Sequence, residues 1–103
     1  MENIYRHYKE RTDESGNQMN LYQIIAVASN SENLRKEVVY RALYGDGAIW
    51  VRPYDMFFED VELANGEKCP RFKKVESERV LDEIPLSLRT QYAFPGIECG
   101  AKK

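Results

Sequence analysis

The sequence predicts a small, mainly β domain, and three observations support this fold class. Its 103 residues include seven Tyr, four Phe and one Trp, which favour strands over helices. Short runs of strand-forming residues recur through the first 74 residues, and close turn signals separate them. We therefore expect a strongly bent antiparallel sheet. An SH3-like barrel is the first choice because closure protects strand edges, and an open mixed sheet with one carboxy-terminal helix is the second.

Six short strands are expected in order along the chain. They cover residues 4–9, 21–28, 37–43, 48–52, 61–63 and 68–72. The run over 21–28 is almost continuously apolar, which is typical of a central strand covered on both faces. The alternation over 37–43 places Arg41 on the same side as Val39 and Leu43.

Turn chemistry connects these strands. A polar stretch over 10–20 reads as a loop, and Gly45-Asp46-Gly47 can adopt the positive φ angles of a tight reversal. Pro53 ends the fourth strand and starts a single helical turn over 54–58. Asn65-Gly66 is the strongest hairpin signal, and Pro70 predicts an edge position for the strand that follows it.

The carboxy-terminal part is predicted to be an extension of a single β-rich domain. The domain covers residues 1–74 and the extension 75–103. Residues 75–83 are charged, with apolar positions at loose helical spacing. We expect the extension to pack through Ile84, Leu86, Leu88 and Phe94, with a frayed end over 100–103.

Composition excludes several classes of function. A net charge of -2 gives no global case for nucleic-acid binding. The charge is uneven, because residues 53–83 carry nine acidic residues and five basic ones, so a local basic face in the first half of the chain is possible. Cys69 and Cys99 are widely spaced and His7 is the single histidine, so no zinc site, and no other metal or cofactor, is expected.

The chain shows no secretory signal and no apolar run of ~20 residues, which predicts a cytoplasmic protein without a membrane partner.

Several segments resemble a known family in collinear order. They are Tyr5-Arg6-His7-Tyr8-Lys9, Tyr22-Gln23-Ile24-Ile25-Ala26-Val27-Ala28, Ser31-Glu32, Val38-Val39-Tyr40-Arg41-Ala42-Leu43-Tyr44-Gly45, Trp50-Val51-Arg52-Pro53, Met56-Phe57 and Pro70-Arg71-Phe72. Over about residues 4–74 the chain is similar to the small bacterial proteins of domain-of-unknown-function family 1653. Two features depart from that pattern: residues 10–20 replace a short Gly-containing link, and Asn30 stands where a His is usual. The resemblance implies a compact β protein and carries over no catalytic residue.

Catalysis is not indicated by the sequence. His7 lies between Arg6 and Tyr8, and an adjacent arginine would lower the pKa that a general base needs. We interpret His7 as a half-buried strand residue. Cys69 precedes Pro70 on an edge hairpin and does not resemble an activated nucleophile. A small enzyme or nucleotide-processing accessory, using His7 and a carboxylate, remains the alternative.

Arginines among aromatic residues are the main candidate site. Arg6, Arg41 and Arg52 lie in predicted strands, where a guanidinium can fork to carboxylate or phosphate or stack on rings. The expected apolar wall consists of Trp50, Tyr44 and Tyr54. The leading hypothesis is thus a non-enzymatic binding module for an anionic peptide, a nucleotide or single-stranded nucleic acid.

Two alternatives to this binding hypothesis stay open. The arginines would be structural if acidic residues such as Glu32, Glu37 or Glu59 bridged to them across strands. The whole protein would be a structural adaptor if it dimerised through the edge near Pro70 or through the carboxy-terminal extension. The sequence leaves a monomer and a homodimer equally open.

Overall fold

The computed structural model describes residues 2–89, which form seven short strands and four single helical turns. The strands are β1 (Ile4–His7), β2 (Leu21–Ser29), β3 (Lys36–Ala42), β4 (Ile49–Pro53), β5 (Asp60–Glu62), β6 (Lys68–Pro70) and β7 (Phe72–Val75). The helical turns are α1 (Tyr54–Phe57), α2 (Ser77–Val80) and two 3₁₀ turns (Leu81–Glu83 and Leu86–Leu88). The predicted mainly β class with one short helical turn after Pro53 is confirmed.

Five of the strands form one antiparallel sheet in the order β4-β3-β2-β1-β7, and β5 and β6 form a separate hairpin. The apolar β2 lies in the centre, as predicted. The SH3-like barrel is wrong for the described residues, because the edge strands β4 and β7 do not pair with each other. Side chains from α1 fill the space between those edges, where Phe57 stacks on Phe72 of β7.

The open sheet is nevertheless strongly bent. Its register shifts between Ile24 and Ala26, which marks a bulge of the kind that bends a strand and increases its twist. We call the side of the sheet that carries Tyr40 and Phe72 the concave face. Across it, the Arg52 guanidinium of β4 lies 5.7 Å from the ring centroid of Phe72 in β7. The two edge strands therefore approach each other through side chains.

Both predicted glycine turns are present. Gly45 and Gly47 have φ angles of 57° and 72°, and Gly66 after Asn65 has a φ of 89°. At Gly47 a Cβ atom would also come within 2.8 Å of Leu88, so a side chain there meets both backbone strain and a packed neighbour. The reversal between β3 and β4 is thus suited to glycine by conformation and by space.

Strand β7 was not predicted. The expected strand over 68–72 divides at Arg71, and the chain then pairs with β1 along Phe72–Val75. Two adjacent lysines, Lys73 and Lys74, hide the alternation that would have indicated a strand there. The pairing is decided by β1, which is distant in sequence.

The carboxy-terminal segment covers the convex face of the sheet. Ile4, Leu21 and Leu43 form a buried cluster with Val80 and Ile84 of that segment. Packing through Ile84 and Leu88 agrees with the prediction, because Leu88 also packs against this cluster.

The other parts of the prediction for this segment are wrong at one residue and untested elsewhere. Leu86 is 76% exposed, so its predicted packing is wrong. Leu86 begins the 3₁₀ turn that ends at Leu88, and of these two residues only Leu88 packs against the cluster that contains Ile84. Phe94, Cys99 and residues 100–103 lie outside the described residues. The division at residue 74 stays a prediction, although the buried cluster joins residues from both sides of it.

Aromatic rings fill the concave face. Val38, Tyr40, Phe57 and Phe72 form the second buried cluster, and Tyr22 packs against it. Most of these rings meet edge to face, at centroid distances between 5 and 6 Å.

None of the helices in the described range is long and apolar enough to cross a membrane.

Candidate functional site

Arg6 is held by partners within the protein. Its two terminal nitrogens donate to both Glu83 carboxylate oxygens at 3.1 and 3.0 Å, and one of them also donates to Asn20 at 3.2 Å. The acidic partner is thus Glu83, and not one of the acids named from the sequence. This two-pronged pair ties β1 to the carboxy-terminal segment, so Arg6 has the structural role that was the alternative to ligand binding.

Arg41 is also an internal group. Its side chain is only 4% exposed, its Nε donates to the Gln23 side chain at 2.8 Å, and a terminal nitrogen donates to the Leu88 carbonyl at 3.0 Å. Strand pairing places Arg41 on the convex face, since it lies opposite Gln23, which in turn lies opposite Ile4 of the buried cluster on that face. The three predicted arginines therefore do not share one surface.

Arg52 lies on the concave face and differs from the other two. It pairs with Val38, and its guanidinium sits over the Phe72 ring. Its Nε atom is shielded from solvent and has no hydrogen-bond partner in the described part of the chain. The terminal nitrogens of Arg52 are not shielded in this way and make no hydrogen bond within residues 2–89, so they can donate to an oxygen atom that approaches from solvent.

A cavity of about 270 Å³ opens on the concave face beside Arg52. Its walls contain four basic side chains, and no Asp or Glu is among its described lining residues. The basic residues are Lys9, Arg11, Arg52 and Arg71. We call this space the basic cavity. Such a concentration of charge is notable in a protein whose net charge is -2.

Arg71 supplies a second donor through the terminal nitrogen that Glu59 does not engage. One of its terminal nitrogens is paired with Glu59, whereas its Nε is shielded from solvent and unpartnered within residues 2–89. Its backbone links the two sheets, because Arg71 donates to the Glu59 carbonyl and accepts from the Tyr8 amide. The guanidinium is thereby fixed at the point where the chain passes from β6 to β7.

His7 forms part of the wall of the basic cavity. The Lys9 amide donates to its Nδ1 at 3.1 Å, so in the neutral imidazole the proton resides on Nε2. Burial, followed by the nearby charges of Arg52 and Arg71, lowers the pKa of His7 below its usual 6.5. A neutral His7 with an engaged Nδ1 is a hydrogen-bond donor and is poorly suited to act as a general base.

The predicted aromatic wall is divided between different places. Tyr44 exchanges a hydroxyl hydrogen bond of 2.9 Å with Tyr22, a ring that lines the basic cavity, and Tyr54 packs against Phe58 on α1. Burial and the Tyr44 hydrogen bond raise the pKa of Tyr22, so its hydroxyl stays protonated. Trp50 lies on the concave face opposite Tyr40. Of the three predicted aromatic residues, Trp50 is the one on the same strand as Arg52.

Sequence reasoning missed Lys9, Arg11 and Arg71. Arg71 stands in the Pro70-Arg71-Phe72 segment that carries the family resemblance, which was the available signal. Arg11 lies in the long loop over 10–20, whose return through a bridge between Thr12 and Gln18 has no sequence signature.

The chain matches the model of a protein family described as "Protein of unknown function (DUF1653)" over residues 3–74. It belongs to this family. No curated protein and no solved structure is similar enough to the chain to match it. The described residues that line the basic cavity all fall within the part that matches DUF1653, whereas α2 and the 3₁₀ turns lie beyond it.

Proposed function

We propose that this protein is a non-enzymatic binding module that holds an anionic ligand in the basic cavity. One observation carries the proposal: four basic side chains, and no described acidic one, line the same cavity. An anion in the cavity would offset the clustered positive charge and accept charge-assisted hydrogen bonds from the terminal guanidinium nitrogens.

The chemistry of the walls favours phosphate or carboxylate. The planar guanidinium can donate two hydrogen bonds as a fork to two oxygens of either anion, and both Arg52 and Arg71 are held in place by other contacts. Arg52 rests on Phe72, and Arg71 is paired with Glu59. Because these contacts fix the donors in advance, less conformational entropy is lost when a ligand binds.

The size of the basic cavity favours a compact anion. Its volume of about 270 Å³ lies just below the range of roughly 300–1,000 Å³ that is typical of small-molecule sites. The acidic excess over residues 53–83 would repel a long polyanion. A module of this kind would act in the bacterial cytoplasm, where small phosphorylated and carboxylated metabolites are abundant.

The enzymatic alternative has less support. It requires a carboxylate near His7, and the described walls of the basic cavity contain none. The Nδ1 atom of His7 is also engaged by the Lys9 amide. These contacts fit a donor that helps to orient an anion.

Calorimetric titration with inorganic phosphate and with citrate at low salt tests the proposal. We expect saturable binding to the wild-type protein and a loss of about tenfold or more in affinity for Arg52→Ala, since a hydrogen bond to a charged group contributes about 1.5–3 kcal/mol. Arg35→Ala is the matched control, because Arg35 is exposed and lies outside the basic cavity. Absence of saturable binding to either anion, or equal losses in both variants, would contradict the proposal.

A further inference from the structure

Trp50 is the one described aromatic side chain that contacts no other ring within residues 2–89. Every other ring in this range has at least one ring neighbour, whereas the Trp50 indole is 50% exposed. Tryptophan is highly buried on average, so a half-exposed indole on a strand is a feature to be explained. Half of its surface is therefore open to a partner.

The position of Trp50 links it to the basic cavity. It shares the concave face with Arg52, two residues further along β4, which corresponds to about 7 Å of strand rise. Directly opposite Trp50 on β3 is Tyr40, whose ring lines the basic cavity. A ligand anchored at Arg52 therefore reaches the indole if it carries a flat group a few bonds away from its anionic group.

We propose that the anionic ligand is a nucleoside monophosphate, with its phosphate in the basic cavity and its base stacked on Trp50. This inference rests on the proposed function and specifies its ligand class. A phosphate monoester brings up to two negative charges and three acceptor oxygens to Arg52, Arg71 and the Nε2–H of His7. The base supplies the planar surface that stacks on an exposed aromatic side chain.

Two properties of the molecule favour a mononucleotide over larger ligands. The net charge of -2 and the acidic excess over residues 53–83 disfavour the long phosphate backbone of an extended strand. A phosphorylated peptide would engage Arg52 and Arg71 equally well, but its chain does not in general present a planar ring next to the phosphate. The indole beside the basic cavity is accounted for by a base.

Trp50 also provides the readout, because it is the single tryptophan of the chain. We would titrate the protein with the four common ribonucleoside 5′-monophosphates and with ribose 5-phosphate, inorganic phosphate and adenosine, and follow the indole fluorescence. Mononucleotides should change the emission saturably. Ribose 5-phosphate and inorganic phosphate should displace the mononucleotide without producing that change themselves. Adenosine, which lacks the phosphate, should bind far more weakly than its monophosphate.

Trp50→Leu separates the base contact from the phosphate contact. Calorimetry should show mononucleotide affinity falling by about fivefold or more, to the level of ribose 5-phosphate, because that is the weakest effect of removing a stacking ring. Affinity for inorganic phosphate should stay unchanged. Trp50→Phe, which keeps a smaller ring, should retain part of the mononucleotide affinity. An unchanged melting temperature would show that the variants fold.

Different failures identify different errors. If ribose 5-phosphate binds as tightly as every mononucleotide and Trp50→Leu has no effect, the base contact is wrong while the proposed anion site stands. If a phosphoserine peptide binds more tightly than all four mononucleotides, the ligand class is wrong. If inorganic phosphate itself does not bind, the proposed function fails together with this inference.

Discussion

Replacing Phe57 with alanine is expected to lower the free energy of unfolding by about 3–5 kcal/mol, as is typical of large buried aromatic side chains. Phe57 is fully buried and joins α1 to β3 and to the edge strand β7. It stacks on Phe72 with ring centroids 4.0 Å apart and planes within 2° of parallel, and it meets Tyr40 edge to face. Its loss would leave a cavity where the concave face is closed. Urea denaturation monitored by far-ultraviolet circular dichroism measures this change.

Phe58→Ala is the control for Phe57→Ala. Phe58 follows Phe57 directly and also contacts Tyr5, but it is 39% exposed. We expect it to cost less than half as much, because less apolar surface returns to water and any gap is open to solvent. Equal losses for the two variants would show that the ring cluster around Phe57 does not hold the concave face together.

Arg41→Ala is expected to lower the free energy of unfolding by about 2–4 kcal/mol. The change removes the donors that Gln23 and the Leu88 carbonyl use, and each buried acceptor left without a partner costs about 1–3 kcal/mol. The contact with Leu88 also attaches the carboxy-terminal segment to the sheet. Chemical denaturation measures the loss, and Arg41→Met shows how much of it comes from the hydrogen bonds, since Met restores apolar volume but no donor.

Arg52→Ala is the comparison that separates a structural arginine from a binding one. Arg52 stacks on Phe72 but leaves its Nε unpartnered in the described chain, so its loss should cost less than about 1 kcal/mol of stability. We therefore expect Arg41→Ala to reduce stability and Arg52→Ala to reduce anion affinity. A reversed pattern, with a stable Arg41→Ala protein and an unstable Arg52→Ala protein, would contradict these assignments.

The strands and turns that the sequence predicted are those set by local rules. The apolar run of β2, the alternation in β3 and the turn at Asn65-Gly66 each follow from periodicity or from backbone preference over a few residues. Strand β7 and the choice between a barrel and an open sheet depend on contacts distant in sequence. Phe57 meets Phe72 where a closed barrel would pair backbones, and no local pattern indicates this.

The sequence predicted only part of the candidate site. Alternation predicted that Arg41 shares a side with Val39 and Leu43, but it did not relate that side to the side of Arg52, and the prediction placed both arginines in one site. The observed register puts them on opposite sides of the sheet. Alternation could not show that the carboxy-terminal segment covers one side, and that cover is what gives Arg6 its Glu83 partner and buries Arg41. Lys9, Arg11 and Arg71 come together with Arg52 through the bend of the sheet, which no spacing in the sequence reveals.

The titration of His7 by NMR tests the central claim most directly, because His7 is the single histidine and lines the basic cavity. Burial and the charges of Arg52 and Arg71 place its pKa below 6.5 in the folded protein. The unfolded chain then binds more protons, so this residue makes the folded protein less stable as the pH falls below about 6.5 towards the folded pKa. A bound anion offsets the cations and must raise the pKa of His7.

The measurement compares inorganic phosphate with chloride at equal ionic strength. We predict a His7 pKa below 6.5 in chloride, a higher pKa in phosphate, and a smaller difference between the two salts for Arg52→Ala. The same pKa in both salts for the wild-type protein would contradict an anion site at the basic cavity.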